Sequence, residues 1–256
     1  MTLAIETQNL TRDFDGRRAV DGLTLSVARG CFFGFLGPNG AGKSTTIKML
    51  TGLLAPSGGS IRILGEDVSD PARHVEVKRR VGVVPENLGL FDNLTAWEYL
   101  TFVGRMYELP VNVLAQRREE LLEMMDLARE TKKLTLEYSH GMKKKLALAA
   151  ALLPNPDLLF LDEPFEGVDA VASAMLREPL RRAVERGATI FLTSHVLEIV
   201  EKLCTDVAII AQGRIVVAGP LAELKGDGSL EQRFLEAVGG DAPAKQQLSW
   251  LNASHE

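Results

Sequence analysis

Only two cysteines occur in 256 residues, Cys31 and Cys204, far apart and each among apolar neighbours. That scarcity excludes a disulfide scaffold and a cysteine zinc site, and it reads as two buried thiols in a reducing compartment. Excess positive charge is also missing. The net charge is −5 and the isoelectric point near 5.5, which argues against a chain whose main task is wrapping nucleic acid while leaving room for a local basic patch. No nucleic-acid partner is expected. Long apolar runs are scarce too. A bilayer-spanning helix needs about 18 apolar residues in succession, and the longest candidate, Leu146 to Leu161, is broken by Pro154, Asn155, Pro156 and Asp157. The first ten residues contain Glu6 and no basic segment followed by an apolar run, so no signal peptide is expected there. These features read as a cytoplasmic chain, any membrane contact coming through a partner. There is no internal repeat, low-complexity tract or heptad run.

What is present is an ordinary globular balance, 46% hydrophobic and 25% charged residues, enough to bury one large α/β domain or a domain with a sub-domain. Its organising stretch is Gly37-Pro38-Asn39-Gly40-Ala41-Gly42-Lys43-Ser44-Thr45, which fits G-x-x-x-x-G-K-[ST]. An apolar run, Cys31 to Leu36, leads in as a buried strand, and Thr45 to Leu50 leads out as a helix that Gly52 can end. Glycines there let the backbone turn its N–H groups inward as an anion nest at a helix N-terminus. Lys43 can reach the β- and γ-phosphates, and the Ser44 hydroxyl can ligate Mg²⁺. The stretch predicts binding of a nucleoside triphosphate.

Residues 3–9 and 22–28 alternate apolar and polar, as strands with one buried face do. Between them Thr11 to Gly16 reads as a turn-rich link carrying Phe14. That ring can stack on a base or staple its own loop, and the residues alone leave both open. Ser60 to Leu64 reads as a strand after the turn at Pro56 to Gly59. Arg73 to Arg80 reads as a solvated helix, and Val81 to Pro85 as a buried strand with Glu86 at its carboxyl end, where ligands collect in parallel sheets. From Thr95 to about Leu153 the pattern is helix after helix. Thr95 and Glu98 have capping-box spacing, Leu121, Leu122 and Met125 share one face, and Pro110 separates two helices. Ser139 opens the last of them, with Met142, Leu146, Ala149 and Leu153 at inward spacing. Lys143, Lys144 and Lys145 crowd its start, against the helix dipole. The run is either a solvated basic face or a helix end that meets an anion.

Leu158 to Asp162 reads as a buried strand with Asp162 and Glu163 at its end. Buried carboxylates need a partner, and a metal is the natural one. Asp162 can hold Mg²⁺, while Glu163, pointing differently, can take a proton from an attacking water. Ala188 to Thr193 is a further strand, and it places His195 on the same rim. Asp206 to Ala211 and Arg214 to Val217 form a hairpin around Gln212-Gly213. Ser229 to Gln232 has capping-box form and opens a short helix toward Val238. The residues from Gly239 to Glu256 read as a loose tail.

In this order the pieces resemble the ATP-binding subunit of an ABC transporter, over essentially residues 3 to 220. The resemblance rests on Phe14, the phosphate loop, Glu86, Ser139-His140-Gly141-Met142, the Asp162-Glu163 strand, Gly167-Val168-Asp169 and His195. It implies a P-loop NTPase core with a mainly parallel sheet, an N-terminal antiparallel portion and a helical sub-domain at about 92–153. Residues 221–256 would be a short helical extension and tail. Phe14 would stack on adenine, residues Gly37 to Thr45 would hold the phosphates, and Ser44 and Asp162 would hold Mg²⁺. Glu163 would be the general base and His195 the γ-phosphate contact, beside Lys43. Ser139 and Gly141 match the family signature, which closes over ATP bound to the other subunit of a head-to-tail dimer. Asp169 would join the two halves.

The chain departs from the family pattern at three places. His140 and Met142 replace the usual Gly and Gln of the signature. Phe165-Glu166 replaces small residues. Glu86 stands where a Gln normally senses Mg²⁺, water and the membrane subunit, and it becomes a further candidate metal ligand. Pro85-Glu86, the signature and the segment Ser229 to Phe234 resemble the ABC-2 exporter-type branch. The expected function is ATP hydrolysis powering an exporter, with a second ATP-binding subunit and a polytopic permease as partners. The chain would then lie on the cytoplasmic membrane face through the permease. The alternatives are a soluble ABC ATPase of translation or DNA repair, against which stand a single cassette and no coiled-coil insertion, and a P-loop kinase or GTPase, which lacks a signature serine.

Overall fold

The computed structural model describes residues 2–226 and 228–239. Strands β1 (Leu3–Phe14) and β2 (Arg17–Ala28) pair antiparallel, and β4 (Gly58–Ile63) and β5 (Glu66–Asp67) complete a sheet ordered β2-β1-β4-β5. Between them lie β3 (Phe32–Leu36) and α1 (Lys43–Leu50). Of the stretch expected to be a link, only Asp15-Gly16 is a turn, and Thr11 to Phe14 is instead strand: pairing continues as Arg12↔Val20, Asp13↔Arg18 and Phe14↔Arg17. Polar side chains carry the hairpin past the core, so the alternation that marks a half-buried strand fades while the backbone ladder persists.

Helix α2 (His74–Arg79), β6 (Val81–Val84), α3 (Ala96–Met106), α4 (Val111–Met124) and α5 (His140–Leu152) follow, then β7 (Leu158–Asp162), α6 (Ala170–Glu185) and β8 (Thr189–Ser194). The described chain ends with α7 (Leu197–Leu203), β9 (Asp206–Ala211), β10 (Arg214–Pro220), α8 (Leu221–Lys225) and α9 (Leu230–Val238). The second sheet has the order β10-β9-β3-β8-β7-β6 and is parallel except at β9–β10. This is the expected mainly parallel α/β core with an N-terminal antiparallel sheet. The expected tail lies outside the described residues from position 240 onward.

Alternation along β3 divides the interior in two. Phe33 and Phe35 face one cluster, with α1 and the antiparallel sheet, while Phe32 and Leu36 face the other. In the first, Phe191 has Phe33, Phe35 and Phe160 within 5.3–5.7 Å of its ring centroid. Deleting one such ring costs about 3–5 kcal/mol. The second cluster joins Leu159, Leu161 and Ile190 of the parallel sheet to Leu100 of α3, Leu114 and Leu122 of α4, and Leu146 and Ala149 of α5. The helical stretch therefore hangs on the sheet through shared apolar contact. Both cysteines are buried, and burial pushes the Cys31 thiol up to about 11.

Local signals set the helix starts. Thr95 Oγ1 accepts the Glu98 amide and the Thr95 amide reaches Glu98 Oε2, the reciprocal box worth about 1 kcal/mol. Ser139 caps α5 and Ser229 caps α9 by accepting from Met142 and Gln232. The box expected at Ser229 is only half made, because the Gln232 side chain turns to Glu236.

Candidate functional site

The phosphate loop turns sharply between β3 and α1, and two glycines explain how. Gly42 has φ of 108°, and a Cβ there would sit 2.6 Å from the Ala19 carbonyl. A Cβ on Gly37 would sit 2.4 Å from the Ile210 carbonyl. The loop is thus pressed against β2 and β9, with the first amides of α1 lacking intrahelical acceptors and free for an anion. Residues Pro38 to Thr45 line a cavity with Phe14, Glu86, Glu163 and His195. Phe14 is 41% exposed, and the Arg12 guanidinium lies 4.5 Å from its ring centroid, covering part of the aromatic surface.

Strand register assembles the carboxylates. Asp162 at the end of β7 pairs with Thr193 of β8, and the Thr193 hydroxyl donates to Asp162 Oδ1 at 2.6 Å. The same hydroxyl accepts the Glu163 amide at 3.1 Å. Glu163 Oε2 lies 3.0 Å from His195 Nδ1 and accepts the His195 amide at 3.3 Å, while Oε1 lies 3.6 Å from Lys43 Nζ. Lys43 is 6% exposed and also donates to the Gly37 carbonyl at 2.7 Å. A cation, a carboxylate and an imidazole therefore meet beside the phosphate loop.

The donor set suits a hard divalent cation. Ser44 Oγ is 3.4 Å from both Asp162 Oδ1 and Glu86 Oε2, so three oxygens converge. Among the described residues no group of three His, Cys, Asp or Glu side chains gathers in metal-binding fashion. A site of two carboxylates and a hydroxyl still fits Mg²⁺, which uses few protein ligands and keeps water and phosphate oxygens as the others.

Ser139, Gly141 and Asp169 do not line this cavity; nor do Gly37 and Asp162, but the hydrogen bonds of Gly37 to Lys43 and of Asp162 to Ser44 join those two to it. Ser139 caps α5, and Asp169 caps α6 by accepting the amides of Val171 and Ala172 at 2.9 Å. The Ala172 amide hydrogen bond holds the exposed Asp169 carboxyl below its ordinary range. The lysine run is not a solvated face: Lys144 and Lys145 are 2% and 8% exposed, leaving Lys143 as the half-buried member, 3.7 Å from Asp92. Sequence reasoning passed over Thr193 and Lys144. Lys144 shares helical spacing with the buried Ala147, Leu148 and Ala151, a signal that it points inward.

A phosphate loop on a parallel sheet, with paired carboxylates at a neighbouring strand end and a helical stretch before them, defines a P-loop nucleotide-binding cassette. The ABC transporter family profile matches residues 20–166. The chain belongs to the ABC transporter family, as an ATP-binding protein of it. It is 43% identical over 210 residues to an ABC transporter ATP-binding protein of Nostoc sp., covering 81% of this chain and 62% of that one. It is 40% identical over 251 residues to the daunorubicin/doxorubicin resistance ATP-binding protein DrrA of Streptomyces peucetius, covering 98% and 74%. A Nod factor export ATP-binding protein I of Burkholderia thailandensis is 42% identical over 215 residues, 84% and 70% of the two chains. The solved ATP-binding subunit of an ABC transporter superposes with a TM-score of 0.85 at 32% identity, over 92% of this chain and 99% of that one. The chain thus spans less than two thirds of the Nostoc relative's length.

Proposed function

We propose that this protein hydrolyses ATP to drive an exporter of the ABC-2 type. The observation that carries this is the Glu163 carboxylate, held between His195 and Lys43 beside the phosphate loop. Phe14 offers its free surface to adenine, the loop amides and Lys43 take the phosphates, and Ser44 and Asp162, with Glu86 close by, form the Mg²⁺ site. Bound Mg²⁺ would supply charge neutralisation at the transferring phosphoryl group. Glu163 takes the proton of the attacking water, and His195 orients the γ-phosphate. Most of the catalytic effect in such transfers is positioning and electrostatics.

Ser139 and Asp169 cap their own helices outside the cavity, and in this reading a second copy brings them, with Gly141, to the site head to tail. Two bound ATP molecules would clamp the pair, and hydrolysis would release it. The permease partner would hold the assembly on the cytoplasmic membrane face. In this reading residues 1–220 form the ATP-binding unit, about 92–153 its helical part, and the remainder an extension. Affinity purification from a detergent-solubilised host membrane should bring down a polytopic membrane protein. Recovery with ribosomes or DNA in its place would favour the soluble alternative. Glu86 Oε2 lies 3.4 Å from Ser44 Oγ, and in this reading it would report the metal to that partner. Glu86→Gln is expected to leave the ATP dissociation constant within threefold while changing permease-stimulated turnover by more. A large loss of ATP binding would contradict this.

A further inference from the structure

Lys144 is a cation almost wholly withdrawn from water in the second turn of α5, and nothing in the reaction above uses it. Burying an ammonium costs several kcal/mol unless its protons find acceptors. Its Nζ donates to the main-chain carbonyl of Glu163 at 2.8 Å. That carbonyl belongs to a residue with φ of 48°, in the left-handed region. A non-glycine residue is uncommon there outside exposed turns, and a buried one such as Glu163 is held by its surroundings.

The surroundings of Glu163 do so from several sides. Its amide is fixed by Thr193 Oγ1, its carboxylate by His195, and its carbonyl by Lys144 at 2.8 Å and by the Glu166 amide of the following turn at 3.2 Å. The first two holds come from β8 and the residue after it. Of the two holds on the carbonyl, the Glu166 amide is local to the turn, and Lys144 brings the one from α5, the helix that Ser139 caps.

We propose that Lys144 is a positioning residue for hydrolysis: by anchoring the Glu163 carbonyl to α5, it fixes the left-handed backbone from which the carboxylate is aimed. This rests on Glu163 being the base. It also ties each base to the signature helix of its own subunit, so a shift of α5 reaches the water-activating group. A misplacement of the base by about 1 Å costs on the order of 100-fold in rate, whereas nucleotide binding, which does not pass through this carbonyl, is spared.

The test compares Lys144→Met, which keeps bulk and removes the donor, with Lys144→Gln, which keeps a donor. Each is assayed for kcat, for KM with Mg-ATP and for thermal midpoint, in wild-type and Glu163→Ala backgrounds. Lys144→Met should lower kcat about 10- to 100-fold with KM within threefold, and Lys144→Gln should recover much of the loss. In the Glu163→Ala background, Lys144→Met should alter residual turnover less than twofold, because its effect runs through the missing base. Wild-type kcat in Lys144→Met would overturn the proposal, as would an equal loss in both backgrounds. Unfolding of both Lys144 variants would overturn it in favour of a purely structural lysine. Wild-type hydrolysis by Glu163→Gln would remove the base reading and this inference together, an outcome distinct from failure at Lys144 alone.

Discussion

Glu163→Gln is expected to lower ATP turnover by on the order of 100-fold or more while leaving ATP bound. A positioned general base contributes about 10²- to 10⁴-fold, and the amide keeps the size and shape of the side chain while losing its basicity. The substitution also removes a negative charge 3.6 Å from the Lys43 ammonium, close to where the γ-phosphate would lie. Binding should therefore hold or improve as turnover falls. Steady-state phosphate release and nucleotide affinity, measured on the same preparation, separate the two effects. Turnover within threefold of the wild type would remove Glu163 as the base.

Lys43→Ala should produce the complementary pattern, loss of binding itself. Its ammonium is buried beside the loop carbonyls of Gly37 and Pro38. Losing a hydrogen bond to a charged group costs about 1.5–3 kcal/mol, which corresponds to on the order of 10- to 100-fold in affinity. Calorimetric titration with ATP and Mg²⁺ reads it directly. An unchanged dissociation constant would show that the loop amides alone carry the phosphates. The two variants together divide the site into a binding part and a turnover part.

The sequence made the site legible wherever a short segment carries both the chemistry and its placement. Residues 37–45 announce a phosphate loop because the glycines, the lysine and the hydroxyl fall within one turn. Asp162 and Glu163 stand out because charge follows an apolar run, and the capping pair at Thr95 and Glu98 is likewise local. Contacts made between strands were not legible. Thr193 meets Asp162 only through the register of β7 on β8, and its residue type alone is commonplace in strands. Lys144 is hidden in a run of three lysines, although three consecutive helix positions point in different directions. Hairpin β1–β2 reads too short from the sequence because solvated arginines and aspartates hide a strand from any test based on burial. Whether Ser139 closes a partner's site is a matter between chains.

The most direct test of that pairing is the mass of Glu163→Gln in solution, by sedimentation equilibrium, with Mg-ATP and then with ADP. A site finished by a second copy predicts a dimer with ATP that returns to monomer with ADP, and loss of the dimer when Ser139→Ala is added. A monomer under both nucleotides, with ATP bound at full stoichiometry, would contradict it.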